Sequence, residues 1–343
     1  MDEPAHHRRA RRERGGGARI AHYLDLANPF APQRALSDDA VAAIHDTALK
    51  VLEDLGVRVL LPEARAIWRA AGAIVDEDSM MVRMGRDMVA AALATAPADI
   101  TIHAREPHRN VRLAPGRMVF HAGAGCPQVT DRERGRRPGT LADFRDVQRL
   151  IDGFDVIHTL AAAVEPQDSA INRRHYDMTL VQLETSTKVP FTYARGRAHV
   201  EETFEMLALA QGLGGDFADR PRTFTVINSN SPRTFDLPMA EGIIDFARHG
   251  QVTMITPFCL MGAMAPVTVA GALVLQHAEA LAGINQPAEP QTRGSGPGTV
   301  FAVPCSRTPH RQSWFQAAEP YAVPAGFLVR EAYRAASRST RDS

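Results

Sequence analysis

The chain has 343 residues, is 45% hydrophobic and balances 39 basic against 39 acidic residues, giving zero formal net charge. That is enough apolar material for a large core. The charge balance calls for neither nucleic acid, nor a membrane surface, nor a strongly charged partner. Cys126, Cys259 and Cys305 lie far apart with no Cys-x-x-Cys pair, which suggests neither a disulfide framework nor a zinc ribbon and fits a reducing cytoplasm.

The stretch from His6 to Arg19 is basic with no apolar run behind it, so it is not read as a signal peptide. Residues 1–36 are expected to be a solvated flexible arm, with binding of an acidic partner as the alternative use of its arginines. No run of about 18 uncharged apolar residues follows anywhere, so no membrane span is expected. Ser37 is placed to cap a helix in which Val41, Ile44, Ala48, Val51 and Leu55 form one stripe and Gly56 is the stop. A strand is expected at 57–60, helices near 62–71 and 86–96, and a strand at 100–104. Residues 37–110 thus read as an N-terminal α/β segment.

From about residue 117 the pattern becomes regular. Strand-like runs at 118–121, 156–160, 189–193, 223–227 and 253–256 alternate with helical segments near 141–153, 171–185, 199–212, 239–248 and 267–283. Thr140 and Pro238 are start signals, and Gly212 and Gly250 are stops. Alternation of this kind means parallel βαβ units, in a doubly wound sheet or a barrel. Gly123-Ala124-Gly125-Cys126-Pro127 lacks the third glycine of a dinucleotide fingerprint and runs into proline, so a barrel is preferred. The expected fold is α/β, of the (β/α)8 TIM-barrel type, with a partial barrel over 111–284. Residues 285–343 are rich in Pro, Gly, Arg and Ser without periodicity. They read as an atypical, poorly ordered tail with one helical stretch at 325–336, so the barrel is expected to be incomplete at its C-terminal end.

Barrel chemistry lies at the C-terminal ends of the strands. There the sequence places His121, Cys126, Glu165, Gln167, Asp168, Tyr193, Arg195, Asn228, Asn230 and Phe258. Glu165 is the favoured acid, base or cation-binding group, against a salt-bridged structural role; Asp168 is read foremost as a helix cap. Asn228 and Asn230 suit a pocket or a turn equally. Tyr193 and Phe258 suit the core, or an aromatic wall for a quaternary ammonium. His121 suits a metal ligand or base but is read foremost as a hydrogen-bonded structural group, Cys126 has no identifiable His to make it a nucleophile, and Lys188 precedes its strand, which disfavours Schiff-base chemistry. No metal site is expected.

Read in order, these segments resemble the trimethylamine methyltransferase family over residues 36–284. The match runs through Leu36-Ser37-Asp38-Asp39, Gly123-Ala124-Gly125-Cys126-Pro127-Gln128-Val129-Thr130-Asp131, Arg137-Pro138-Gly139-Thr140-Leu141, Val164-Glu165-Pro166-Gln167-Asp168, Asn228-Ser229-Asn230-Ser231-Pro232, Thr256-Pro257-Phe258 and Met261-Gly262-Ala263-Met264-Ala265-Pro266. The resemblance implies a barrel enzyme, related to methanogenesis, that moves a methyl group from a tertiary or quaternary amine, of the trimethylamine or glycine betaine class, to cobalt. The corrinoid (cobalamin) is not bound directly but is supplied by a separate corrinoid carrier protein, since no Asp-x-His-x-x-Gly carrier segment occurs here. Glu165 would be catalytic, and Gln167, Tyr193, Asn228, Asn230 and Phe258 would bind substrate, in a homo-oligomer. Family members are substantially longer, so the chain is expected to hold about the first two-thirds of such an enzyme. A truncated, inactive fragment or binding module is the alternative, and a barrel enzyme using Glu165 as base on a carbonyl substrate is a third reading.

Overall fold

A computed structural model describes residues 25–27, 29–30, 36–97, 99–213, 217–284, 300–302 and 305–307. The order begins with β1 (Leu26–Ala27) and α1 (Asp38–Lys50). Ser37 caps α1 by accepting from the Ala40 amide at 3.2 Å, and Asp38 and Asp39 fill the first turn, where the helix dipole favours negative charge. The helix runs into one π-helical turn, Val51–Leu55, and ends at Gly56 with φ +68°. Next come β2 (Val57–Val59), α2 (Pro62–Ala70), β3 (Ile74–Asp76), β4 (Met81–Arg83) and α3 (Arg86–Thr95). β5 (Ile100–Ile102) and β6 (Val111–Leu113) pair antiparallel, and β7 (Arg117–Met118) pairs antiparallel with β1.

The second part opens with an antiparallel hairpin, β8 (Gln128–Asp131) and β9 (Gly135–Pro138). It continues through α4 (Leu141–Gly153), α5 (Arg174–Thr185), α6 (Arg197–Ala210), β10 (Phe224–Ile227), β11 (Thr234–Phe235), α7 (Leu237–Arg248), β12 (Val252–Ile255), β13 (Phe258–Leu260) and α8 (Val269–Ile284). β14 (Val300–Ala302) and β15 (Cys305–Arg307) follow, where the sequence pattern offered no strand. The helix expected at 325–336 and most of the arm 1–36 lie outside the described residues.

A wall of parallel pairings runs in chain order. His121 bridges Thr159, Thr159 bridges Val189, Phe191 bridges Phe224, β10 pairs with β12, and β12 pairs with β14. The strands expected at 156–160 and 189–193 shrink to isolated bridges, because side chains from the covering helices take backbone groups a ladder would use. Gln148 of α4 donates to the Ala161 carbonyl, and Gln182 of α5 both donates to the Phe191 carbonyl and accepts its amide. Likewise the His158 ring accepts the Phe120 amide. The fold is mixed α/β, and the described residues form no closed barrel.

One core unites both parts. Leu52, Val57, Trp68 and Val82 pack in the same cluster as Phe204, Ile227, Phe246 and Leu281. The sheet order β11-β2-β4-β3 seals this junction, with β11 adding parallel to β2. Burial of these large side chains contributes about 1.5–3 kcal/mol each before conformational entropy is counted. No helix among the described residues is long and apolar enough to cross a membrane.

Candidate active site at the strand ends

The wall carries aromatic rings on one face. His121 stacks on Phe191 and meets Phe224 edge-on, and Phe191 meets Tyr193 edge-on at 5.1 Å between centroids. The His121 ring hydrogen-bonds Thr159 at 2.8 Å, and burial lowers its pKa to about 4, so it is a neutral core group. Toward the strand ends this aromatic column gives way to charge. The Arg195 guanidinium lies 4.1 Å from the Tyr193 ring centroid. It donates to both oxygens of Glu165, and Arg174 donates to the same carboxylate at 2.8 Å. Burial works to raise the Glu165 pKa, but Arg195 and Arg174 outweigh it and hold the carboxyl below its usual range.

Backbone register aligns the row. The Glu165 amide donates to Cys126 O at 2.8 Å beside the parallel bridge of Cys126 to Val164, and the Thr256 amide donates to Ile227 O at 2.8 Å. The Thr256 hydroxyl donates to Asn228 Oδ1. The Tyr193 hydroxyl is buried beside the Gly125 backbone, and burial pushes its pKa up to about 12. A Cβ on Gly125 would stand 3.7 Å from that hydroxyl, so the glycine turn after the first strand packs directly on the ring's far end.

The sequence-derived residues divide. Glu165 and Tyr193 meet through Arg195. Asn228 is exposed and joined to Thr256. Asn230 donates to Asp236 at 2.8 Å and pairs with Thr234, which gives it a turn role. Gln167 is exposed; its side chain reaches only the Glu165 carbonyl, and its amide is tied to Gly139 O. Asp168 accepts the Leu141 amide at 2.8 Å and so helps cap α4. Phe258 is half-buried in β13. Cys126 and Cys259 take part in no disulfide among the described residues. Among the described residues no cluster of three or more His, Cys, Asp or Glu side chains could hold a metal ion.

The trimethylamine methyltransferase (MTTB) family model matches residues 5–292. The chain belongs to the trimethylamine methyltransferase family. It is 31% identical to a glycine betaine methyltransferase of Desulfitobacterium hafniense, over 73% of this chain and 52% of that one. It is 27% identical to the trimethylamine methyltransferase MttB of the same species, over 72% and 50%. The chain therefore spans about half the length of the curated relatives it matches. The monomethylamine methyltransferase MtmB of Methanosarcina barkeri superposes with a TM-score of 0.43 at 11% identity, covering 88% of this chain and 65% of that one.

In this family member, sequence reasoning overlooked Arg174 and Glu279. Glu279 of α8 is fully buried and accepts from the hydroxyls of Ser229 and Ser231 and from the Arg233 amide at 2.7 Å, with the Cys259 thiol at 3.6 Å. It thereby pins the loop that follows Asn228. The available signal was compositional: Gln276, His277 and Glu279 interrupt an otherwise apolar helix, and buried polar groups need partners.

Proposed function

We propose that this chain supplies the amine-binding half of a methyl transfer in which a tertiary or quaternary amine, of the trimethylamine or glycine betaine class, gives a methyl group to the cobalt of a separate corrinoid protein, on a cytoplasmic (β/α)8-type scaffold. The observation that carries this reading is the Tyr193 ring, whose face already takes a cation, Arg195, beside the Glu165 carboxylate. A ring face and an anion together are what a methylated ammonium requires. The names of the relatives point to the same substrate class.

The corrinoid, presented by a partner, supplies a cobalt(I) nucleophile toward the methyl carbon. This chain's own histidine on the wall, His121, is enclosed by Phe191, Phe224 and Thr159, so it does not fit as a cobalt ligand. The chain's residues instead bind and orient. Arg195 is 46% exposed and can leave the ring when substrate arrives, while Arg174 keeps Glu165 ionised and in place. Tyr193 then faces the ammonium, Glu165 balances its charge, and Asn228 and Thr256 border the pocket. As the C–N bond breaks, its electron pair goes to nitrogen; a quaternary amine leaves neutral and needs no acid.

The test is methyl transfer from glycine betaine or trimethylamine to a reduced corrinoid carrier, followed by the corrinoid's visible spectrum. Transfer from either supports the reading. If a full-length relative bearing the same strand-end loops transfers from no methylated amine, the reading fails.

A further inference from the structure

A cavity of about 550 Å³ lies at the opposite end of the wall from the Glu165 row. Its lining includes His103, Arg105, Gln211, Arg220 and Arg222. Its place in the fold is fixed by three connections. Arg222 lies just before β10, separated from it by Thr223, Gln211 follows the last residue of α6, and the His103 amide donates to Pro221 O at 2.8 Å. Arg220 and Arg222 thus sit on the segment that enters β10, whereas the amine site uses segments that leave the wall strands.

The charge here is unbalanced. Arg220 and Arg222 both pair with Asp219, at 2.7 and 2.9 Å. Burial opposes ionisation of Asp219, but the two guanidiniums outweigh it and hold its carboxyl below the usual range. Arg105 spends one nitrogen on the Leu183 carbonyl. Two guanidiniums thus share one carboxylate, and Arg105 is held only by a neutral carbonyl among these contacts. Arg222 is 8% exposed and fixed by Gln211 and Asp219, yet its Nε is buried with no partner. An oxyanion is the natural acceptor for a guanidinium fork. The volume falls within the roughly 300–1,000 Å³ of small-molecule sites and exceeds what a bare ion fills. Ala104, Pro107 and Ala210 add apolar lining for the rest of such a molecule.

We infer that this cavity binds a small molecule through a phosphate or carboxylate group held by Arg105, Arg220 and Arg222, at a site separate from amine binding. The inference does not depend on methyl transfer. Its test is titration of the whole chain with inorganic phosphate and, separately, succinate, at ionic strength matched with sodium chloride, read by calorimetry and melting temperature. Saturable binding of phosphate assigns a phosphate group, and saturable binding of succinate a carboxylate. The R105Q/R220Q variant removes two exposed arginines and leaves the buried Arg222 pairing intact, so the fold is retained. Affinity in that variant should fall on the order of tenfold or more. No saturable binding of either anion, or equal affinity in the variant, overturns the inference.

Discussion

Arg195 covers the face of Tyr193, with its guanidinium carbon 4.1 Å from the ring centroid, and from that position donates to Glu165. The side chain therefore occupies the two groups a methylated ammonium would use, the ring and the carboxylate. Arg174 engages the same carboxylate from α5, and its side chain is far less exposed than that of Arg195. Displacement of Arg195 thus frees the ring without leaving Glu165 unpaired.

Removing the competing cation should strengthen binding of a substrate mimic. A cation over a ring face is worth about 0.5–2 kcal/mol, so R195Q is expected to bind tetramethylammonium on the order of tenfold more tightly. Y193L should weaken it by a similar factor. Calorimetric titration of the two variants reads both effects, and unchanged affinity in R195Q would remove Arg195 from the pocket.

Glu279 should matter for stability more than its surroundings in sequence suggest. E279A would leave the Ser229 and Ser231 hydroxyls and the Arg233 amide without their acceptor. At about 1 kcal/mol per hydrogen bond, the loss is expected near 3 kcal/mol, with E279Q clearly milder because an acceptor remains. Urea midpoints at constant m-value report it. Equal losses in the two variants would contradict the acceptor role.

The helices were legible because each has a local signal. Thr140 and Asp143 form a capping box at the start of α4, which spans the expected 141–153. The start of α7 was read from Pro238, but the cap is Asp236, accepting the Met239 amide at 3.0 Å. The strands were legible only where the ladder is continuous, as in β10 and β12. At 189–193 the backbone of Phe191 is taken by the Gln182 side chain of the preceding helix, and the apolar pattern of the strand does not encode that. Site residues were found by their position after strands, which is why Glu165 and Tyr193 emerged. Their neutralising partners Arg174 and Arg195 depend on where α5 and the neighbouring strand come to lie. Glu279 reaches the Ser229–Arg233 loop from another unit entirely, so only its oddness within α8 hinted at a role.

Gly56 and Gly72 both have positive φ, +68° and +101°, but differ in space. A Cβ at Gly56 would stand 2.3 Å from the Val82 carbonyl oxygen, whereas at Gly72 it would meet nothing within 4 Å. G72A should cost about 1–2 kcal/mol from backbone conformation alone. G56A adds a backbone clash and should cost visibly more, with the β2–β4 pairing displaced. Thermal melts of the two variants decide it: equal costs would mean the close approach at Gly56 is unimportant.

Stability should fall as the pH drops from 7.5 to 5, through buried histidines rather than carboxylates. His277 Nε2 and His45 Nδ1 lie 2.8 Å apart between α8 and α1, and burial, reinforced by His45, lowers the His277 pKa to about 3 from 6.5. His121 is lowered to about 4, by burial. Each is a base with a folded pKa below its unfolded value, so below pH 6.5 the unfolded chain takes up protons that the folded chain refuses. The stabilisation is complete above the unfolded value and is lost as pH falls toward the folded ones. Asp143 and Glu165 are held below the usual carboxylate range by their arginines, so they stay ionised throughout this window. Urea denaturation at pH 7.5 and 5.0 should therefore show a lower midpoint at pH 5.0 for the wild-type chain. H277N should show a smaller decline, whatever its starting stability. Equal declines in the two proteins would mean that His277 already carries its proton in the folded state.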